Sequence, residues 1–222
     1  MDYIARFIET TNITDLHLGY QNVWQAPRLD ISGLTRALAN NQSIRTLSLA
    51  QNKLNDEDSK LLSFALLRNM SLTSLNLKKN NFSDVGIVML ANALEKSIQI
   101  RECSLVKNSE IGNLGLEALL KASKSNHNLF RIELTDNGSI SRQIRYETAL
   151  NRGGRKLLFE KPPISLWPLA LERLNKLDFM EESNFDSSST DHRYDALFNL
   201  LKGPAIFEGF LYRNDQTKTV VL

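Results

Sequence analysis

The residues in this chain that could do chemistry are three histidines, one cysteine and several clustered cations. Three histidines could ligate a metal or relay protons. His17, His127 and His192 show no ligand spacing among them, and a metal site needs three or four converging donors. A cysteine could attack a carbonyl, but only as an exposed thiolate beside a base. Cys103, the single thiol, stands where an apolar strand residue is expected and reads as packing. One cysteine excludes a disulfide framework and a cysteine-based zinc cluster, and a lone buried thiol fits a reducing compartment. Arg131 or Arg142 could act as an arginine finger on a phosphoryl group. Arg142, Arg145, Arg152, Arg155 and Lys156 surround Gly153-Gly154. Without interleaved aromatics they read as a basic outer helix ending in a glycine turn, not as a nucleic-acid site. The sequence holds no G-x-x-x-x-G-K-[ST], G-x-G-x-x-G or G-x-S-x-G, so phosphate-loop, dinucleotide and nucleophile-elbow chemistry lack their motifs. No catalytic residue, metal site or cofactor is assigned, and the chain is expected not to be an enzyme.

Composition points the same way. The 222 residues carry a net charge of +2, with 42% hydrophobic and 23% charged residues. That balance suits a packed core and gives no global charge excess that would draw nucleic acid or anionic lipid. No apolar stretch reaches the 18 or so residues of a membrane span. Asp2 and Glu9 spoil the opening residues as a secretory signal. A cytoplasmic location is expected, with no membrane insertion.

The elements that position these side chains come from a repeat. Ile13-x-x-Leu16-x-Leu18-x-x-Gln21-x-Val23 recurs as Ile44-x-x-Leu47-x-Leu49-x-x-Asn52-x-Leu54, and again as Leu72-x-x-Leu75-x-Leu77-x-x-Asn80-x-Phe82. Looser copies follow at Ile100-x-x-Cys103-x-Leu105-x-x-Asn108 and Leu129-x-x-Ile132-x-Leu134-x-x-Asn137, with the closing apolar residue one place late at Ile111 and Ile140. Start-to-start spacings are 31, 28, 28 and 29. Alternation of Leu75 and Leu77 with Ser74, Asn76 and Lys78 predicts a short strand with one buried and one wet face. Asn52, Asn80, Asn108 and Asn137, with Gln21 as an imperfect first rung, can satisfy backbone groups of adjacent coils. Between strands the apolar period becomes helical: Leu61, Leu62, Ala65 and Leu66 after Asn55-Asp56; Val85, Ile87, Val88, Leu90, Ala91 and Leu94 after Ser83-Asp84; Leu114, Leu116, Ala118, Leu119 and Leu120 after Ile111-Gly112.

This pattern resembles the leucine-rich repeat, and Ser83-Asp84-Val85-Gly86-Ile87 through Leu94 resembles its ribonuclease-inhibitor-like subclass. The resemblance covers roughly residues 10–150. It implies an α/β fold: a right-handed horseshoe segment of about five repeats, with a parallel concave sheet and outer helices. No single repeat can bury its own apolar face, so the coils must stack and the ends need caps. Residues 1–12, with Tyr3, Ile4, Phe7 and Ile8, read as the N-terminal cap; 13–156 as the repeats; 157–222 as a helical C-terminal cap region. In that last region Pro162-Pro163 break a helix, the segment from Ile164 to Leu174 restores helical spacing, 181–195 is a polar loop, and Gly203-Pro204 ends a further short helix. Trp167, Leu171, Leu174, Phe198 and Leu201 would cover the open end of the stack.

The resemblance also implies that the concave face binds another protein. Its candidate residues are Asp15, His17, Tyr20, Thr46, Ser48, Gln51, Ser74, Asn76, Lys78, Lys79, Glu102, Ser104, Lys107, Arg131 and Glu133. At about 4.8 Å per strand the face is only about 20–25 Å wide. Tyr20 is its one aromatic, whereas aromatic anchors usually dominate binding energy. A charge-steered partner therefore fits better than a hydrophobic clamp. The expected function is a non-catalytic, monomeric protein-interaction module, in line with isolated repeat proteins that intracellular bacteria send into host cells, so translocation into a host cell without a cleaved signal peptide stands as the alternative to a cytoplasmic location. The alternative is an activating protein of a small GTPase, since such activators share the repeat subclass. A third reading places activity in 157–222. Some bacterial repeat proteins carry a cysteine-dependent ubiquitin ligase, and that chemistry is excluded here because 157–222 has no cysteine.

Overall fold

The computed structural model describes residues 2–19, 28–135 and 138–155. Tyr20, Gln21, Val23, Asp136, Asn137, His192 and the whole predicted cap region 157–222 lie outside them. The order of elements is α1 (Asp2–Thr10), β1 (Asp15–His17), α2 (Ser32–Asn40), β2 (Thr46–Ser48), α3 (Asp56–Arg68), β3 (Ser74–Asn76), α4 (Asp84–Lys96), β4 (Glu102–Ser104), α5 (Asn113–Ser125), β5 (Arg131–Glu133) and α6 (Ser139–Arg152). Two compact units result, 1–148 and 149–222. In the first, five parallel strands pair in sequence order, β1 to β5. This is an α/β leucine-rich repeat solenoid. Of the second unit, the described part is the end of α6 and its glycine turn, where Gly154 takes φ 102°.

Each strand is three residues long, so one coil buries a single side chain per strand toward the helices. Register lines these up as Leu16, Leu47, Leu75, Cys103 and Ile132. A second buried row, Leu49, Leu77 and Leu105, follows two places later. Leu54 and Phe82 close the coils from the turn side, both fully buried. Burying a leucine contributes about 1.5–3 kcal/mol, and here every such contact is shared with a neighbouring coil. The helices predicted between the strands form, and α2, which the apolar spacing left unassigned, forms as well on buried Leu34, Ala37 and Leu38. Three residues expected on buried faces lie outward instead. Leu61 is 37% exposed, Val85 59% and Leu114 67%, because at 3.6 residues per turn they fall beyond the stripe that Leu62, Ile87 and Leu116 bury. In α1 the split is similar. Ile8 is buried and Ile4 packs against the core, while Tyr3 and Phe7 face outward.

Side-chain ties between coils set the stacking. The Asn80 amide oxygen accepts from Asn52 N (3.0 Å) and Leu54 N (3.1 Å), and its nitrogen donates to Leu49 O and Leu77 O. Asn108 repeats this one coil on, accepting from Asn80 N and donating to Leu77 O and Leu105 O. A second ladder, not read from the sequence, runs where the helices end. Asn41 donates to Ile8 O, Asn69 to Leu38 O and Asn41 O, Asn126 to Leu94 O and Ser97 O. Ser97 holds the intervening place with a shorter side chain. The same asparagines accept from the turn that follows, at Ile44 N and Leu72 N.

The helix starts are tied by carboxylates. Asp56 accepts from Ser83 N and Oγ, and Asp84 accepts from Gly112 N (2.7 Å) and Gly115 N (2.9 Å). Each aspartate thus caps the helix of the next coil, where a negative charge is favoured. This geometry requires glycine: a Cβ on Gly86 would lie 2.2 Å from Asp56 Oδ1, and one on Gly115 would lie 2.7 Å from Asp84 Oδ1. Helix α3 instead carries Asp58 at the third position, in a capping box with Asn55. Burial raises the Asp58 carboxyl above its ordinary value, against the pull of the Asn55 N–H and of Arg28 at 2.8 Å.

Candidate functional site

On the face of the sheet opposite the helices, the two residues flanking each buried one point outward, and register sorts them into rows. One row runs Asp15, Thr46, Ser74, Glu102, Arg131; the next runs His17, Ser48, Asn76, Ser104, Glu133. Fourteen of the fifteen predicted face residues therefore have a described place on strands or strand exits of coils that stack directly on one another. Tyr20 does not, being outside the described residues. Ser48, the exception in exposure, is buried within its row at 8%.

The rows are electrostatically mixed. Arg131 and Glu133 pair at 2.9 Å, both side chains about 40% exposed (42% and 38%). Arg131 stands in register beside Glu102. Hydroxyls of Thr14 (2.6 Å) and Thr46 hold the exposed Asp15 carboxyl below its ordinary value. The Ser104 hydroxyl is enclosed and has no hydrogen-bond partner. Lys78 receives order from Asn76, whose amide oxygen accepts from Lys78 N at 3.0 Å.

Beyond the strands the backbone turns through the left-handed region at Gln51 (φ 62°), Lys79 (57°) and Lys107 (60°), and again at Lys53 (56°). Each such non-glycine residue costs roughly 1–2 kcal/mol. The cause is visible in the hydrogen bonds. Gln51 N still donates to Lys78 O and Lys79 N to Val106 O, and the very next residue is the ladder asparagine. The chain must reverse within one residue to bring Asn52, Asn80 and Asn108 inward. Sequence spacing located these residues but carried no sign of their backbone angle, because glycine, its usual marker, is absent there.

The catalytic candidates are not brought together. Cys103 is fully buried, and desolvation, with a smaller push from the Glu133 charge, raises its thiol to about 12. His17 lies on β1, while His127 follows α5. Among the described residues no group of three or more His, Cys, Asp or Glu could hold a metal ion. No described helix is long and apolar enough to cross a membrane. Arg131 sits on β5 and Arg142 on the exposed side of α6. The site is thus a surface of polar and charged side chains on a rigid sheet, suited to recognition by hydrogen bonds and charge.

Comparison with known proteins agrees with this architecture. The leucine-rich repeat family model matches residues 40–63 and 68–91. Actin-binding site 2 of leiomodin-1 superposes with a TM-score of 0.58 at 18% identity, over 72% of this chain and 93% of that one. The tropomodulin C-terminal domain from Caenorhabditis elegans gives 0.61 at 18% identity, over 72% of this chain and 96% of the other. At that identity the likeness speaks for the fold alone. No curated protein matches the sequence.

Proposed function

We propose that this chain is a protein-interaction module that docks a partner protein on the open face of its parallel sheet. The observation that carries the reading is the row structure of that face. Five strands in register present polar and charged side chains from a backbone locked by two asparagine ladders, and a preorganised surface loses less freedom on binding. Leiomodin-1's matched region is an actin-binding site, so actin is the first partner to examine. The reading extends, on the resemblance to effector-type repeat proteins, to delivery into a host cell. A secretion assay on the tagged chain tests that part. The rival role as a small-GTPase activator gains nothing from Arg131, whose guanidinium is engaged by Glu133; stimulated turnover in a GTPase panel would revive it.

A photo-crosslinking residue at Ser74, in the middle of the face, tests the docking site against one at Glu117 on the outer side of α5. A defined protein adduct from Ser74, identified by mass spectrometry and absent from Glu117, is the expected result. An adduct from Glu117 with none from Ser74 would move the docking site to the helices.

A further inference from the structure

We propose that the partner offers an acidic helical segment to the strand-exit edge of the open face, where Lys78, Lys79 and Lys107 stand. This rests on the reading of that face as the docking surface and names the chemistry of what docks. The three lysines are neighbours in space. Lys79 N donates to Val106 O at 2.8 Å, which sets Lys78 and Lys79 beside Val106 and Lys107 on strands about 4.8 Å apart. Like charges placed opposite one another across a strand pair repel. The fold does not demand them, for Gln51 fills the same place one coil earlier.

A second cost falls on the same residues. Lys79 and Lys107 occupy left-handed backbone at φ 57° and 60°, where glycine or asparagine fits with less strain. Gln51 shares that conformation at φ 62°, so it belongs to the turn that brings the ladder asparagines inward, and only the charge is particular to the lysines. Third, none of the described ion pairs engages these lysines. The acids of the five strands are Asp15, Glu102 and Glu133; Asp15 and Glu102 open their strands, and Glu133, which ends β5, is held by Arg131. Among the described residues the edge is therefore a compact cationic spot with apolar Ala50 and Val106 flanking Lys78, and carboxylates from a partner would relieve its self-repulsion.

Spacing selects the form of the carboxylate donor. Glutamates at i and i+4 of a helix stand about 5–6 Å apart, close to the strand separation. Same-face residues of an extended chain stand roughly 6.5–7 Å apart. Nucleic acid fits less well. Proteins that bind it typically neutralise six or more phosphates, and none of the described strand residues is Phe, Tyr or Trp to stack a base.

The test is fluorescence anisotropy on the full chain at about 50 mM salt, where surface charge is lightly screened. Three probes are used: a labelled helical peptide with glutamates at i and i+4, the same peptide with glutamine replacing every glutamate, and an oligothymidylate of similar length. Lys79→Asn with Lys107→Asn removes charge while keeping a residue that tolerates left-handed backbone; circular dichroism checks its fold. Lys60→Gln on the outer side of α3 is the control. The expected result is binding of the glutamate peptide at least tenfold tighter than the glutamine peptide, weakened at least tenfold in the double variant and less than twofold in the control. Equal binding of the two peptides, no binding of either, or an unchanged double variant would overturn the proposal. Tighter binding of the oligothymidylate would overturn it too and reassign the edge to nucleic acid. If the glutamate peptide fails while adducts still form from Ser74, the acidic-partner inference alone falls; loss of the Ser74 adduct removes the docking reading beneath it.

Discussion

At the residue scale the informative positions are those where two physical effects oppose each other. Gly86 sits in the first turn of α4, where alanine would gain about 1 kcal/mol in helix propensity. The same methyl would meet Asp56 Oδ1 at 2.2 Å and its Cα at 3.0 Å, and overpacking of that kind costs typically 1–3 kcal/mol. The contact wins because Asp56 cannot withdraw without abandoning Ser83. Gly86→Ala is expected to lower stability by about 1–2 kcal/mol in urea unfolding. The loss should shrink in an Asp56→Ala background, where the oxygen is gone. Cys103 gives a second case. Its thiol is neutral in the folded chain up to about 12, against 9.0 ordinarily. Above pH 9 the unfolded chain releases this proton and the folded chain keeps it, so stability falls as pH rises through that window. At pH 8 a thiol reagent should leave the native protein unlabelled and react fully once urea unfolds it; rapid native labelling would contradict the burial of β4.

At the element scale, the helix ends hold the devices that keep coils in register. The Asn69 side chain makes five hydrogen bonds, donating to Leu38 O and Asn41 O and accepting from Ser71 N, Ser71 Oγ and Leu72 N. Orphaning such buried groups costs about 1–3 kcal/mol, so Asn69→Ala is expected to destabilise by about 3 kcal/mol. Ser97 is the rung too short to reach back. Ser97→Asn should complete the ladder and raise stability by about 1 kcal/mol, seen as a higher thermal midpoint; a lower midpoint would show that the site cannot take the longer amide. The strand-exit ladder was legible in the sequence because Asn52, Asn80 and Asn108 sit inside a leucine frame that fixes their phase. The helix-exit ladder was not, since Asn41, Asn69 and Asn126 fall outside that frame, beside turn residues of similar composition, with Ser97 interrupting the series. Outward turns of Leu61, Val85 and Leu114 were likewise hidden. Hydrophobicity marks a helix period, yet which face is buried depends on the strand that the helix covers.

At the scale of the whole first unit, stability is close to a sum over neighbouring coils. The open face inherits its rigidity from that sum. Its row structure followed from the repeat alone, whereas its strained exits and the isolation of its lysines required coordinates. The claim on which the rest depends is that coils hydrogen-bond to one another along the sheet: Leu49 N donates to Asn76 O, Leu77 N to Ser104 O and Leu105 N to Glu133 O, each at 2.8 Å. Residue-resolved amide hydrogen exchange on the full chain tests this most directly. Leu49, Leu77 and Leu105 are expected to exchange among the slowest amides, with α1 at the edge of the stack among the fastest. Exchange of Leu77 and Leu105 as fast as that of α1 would contradict it.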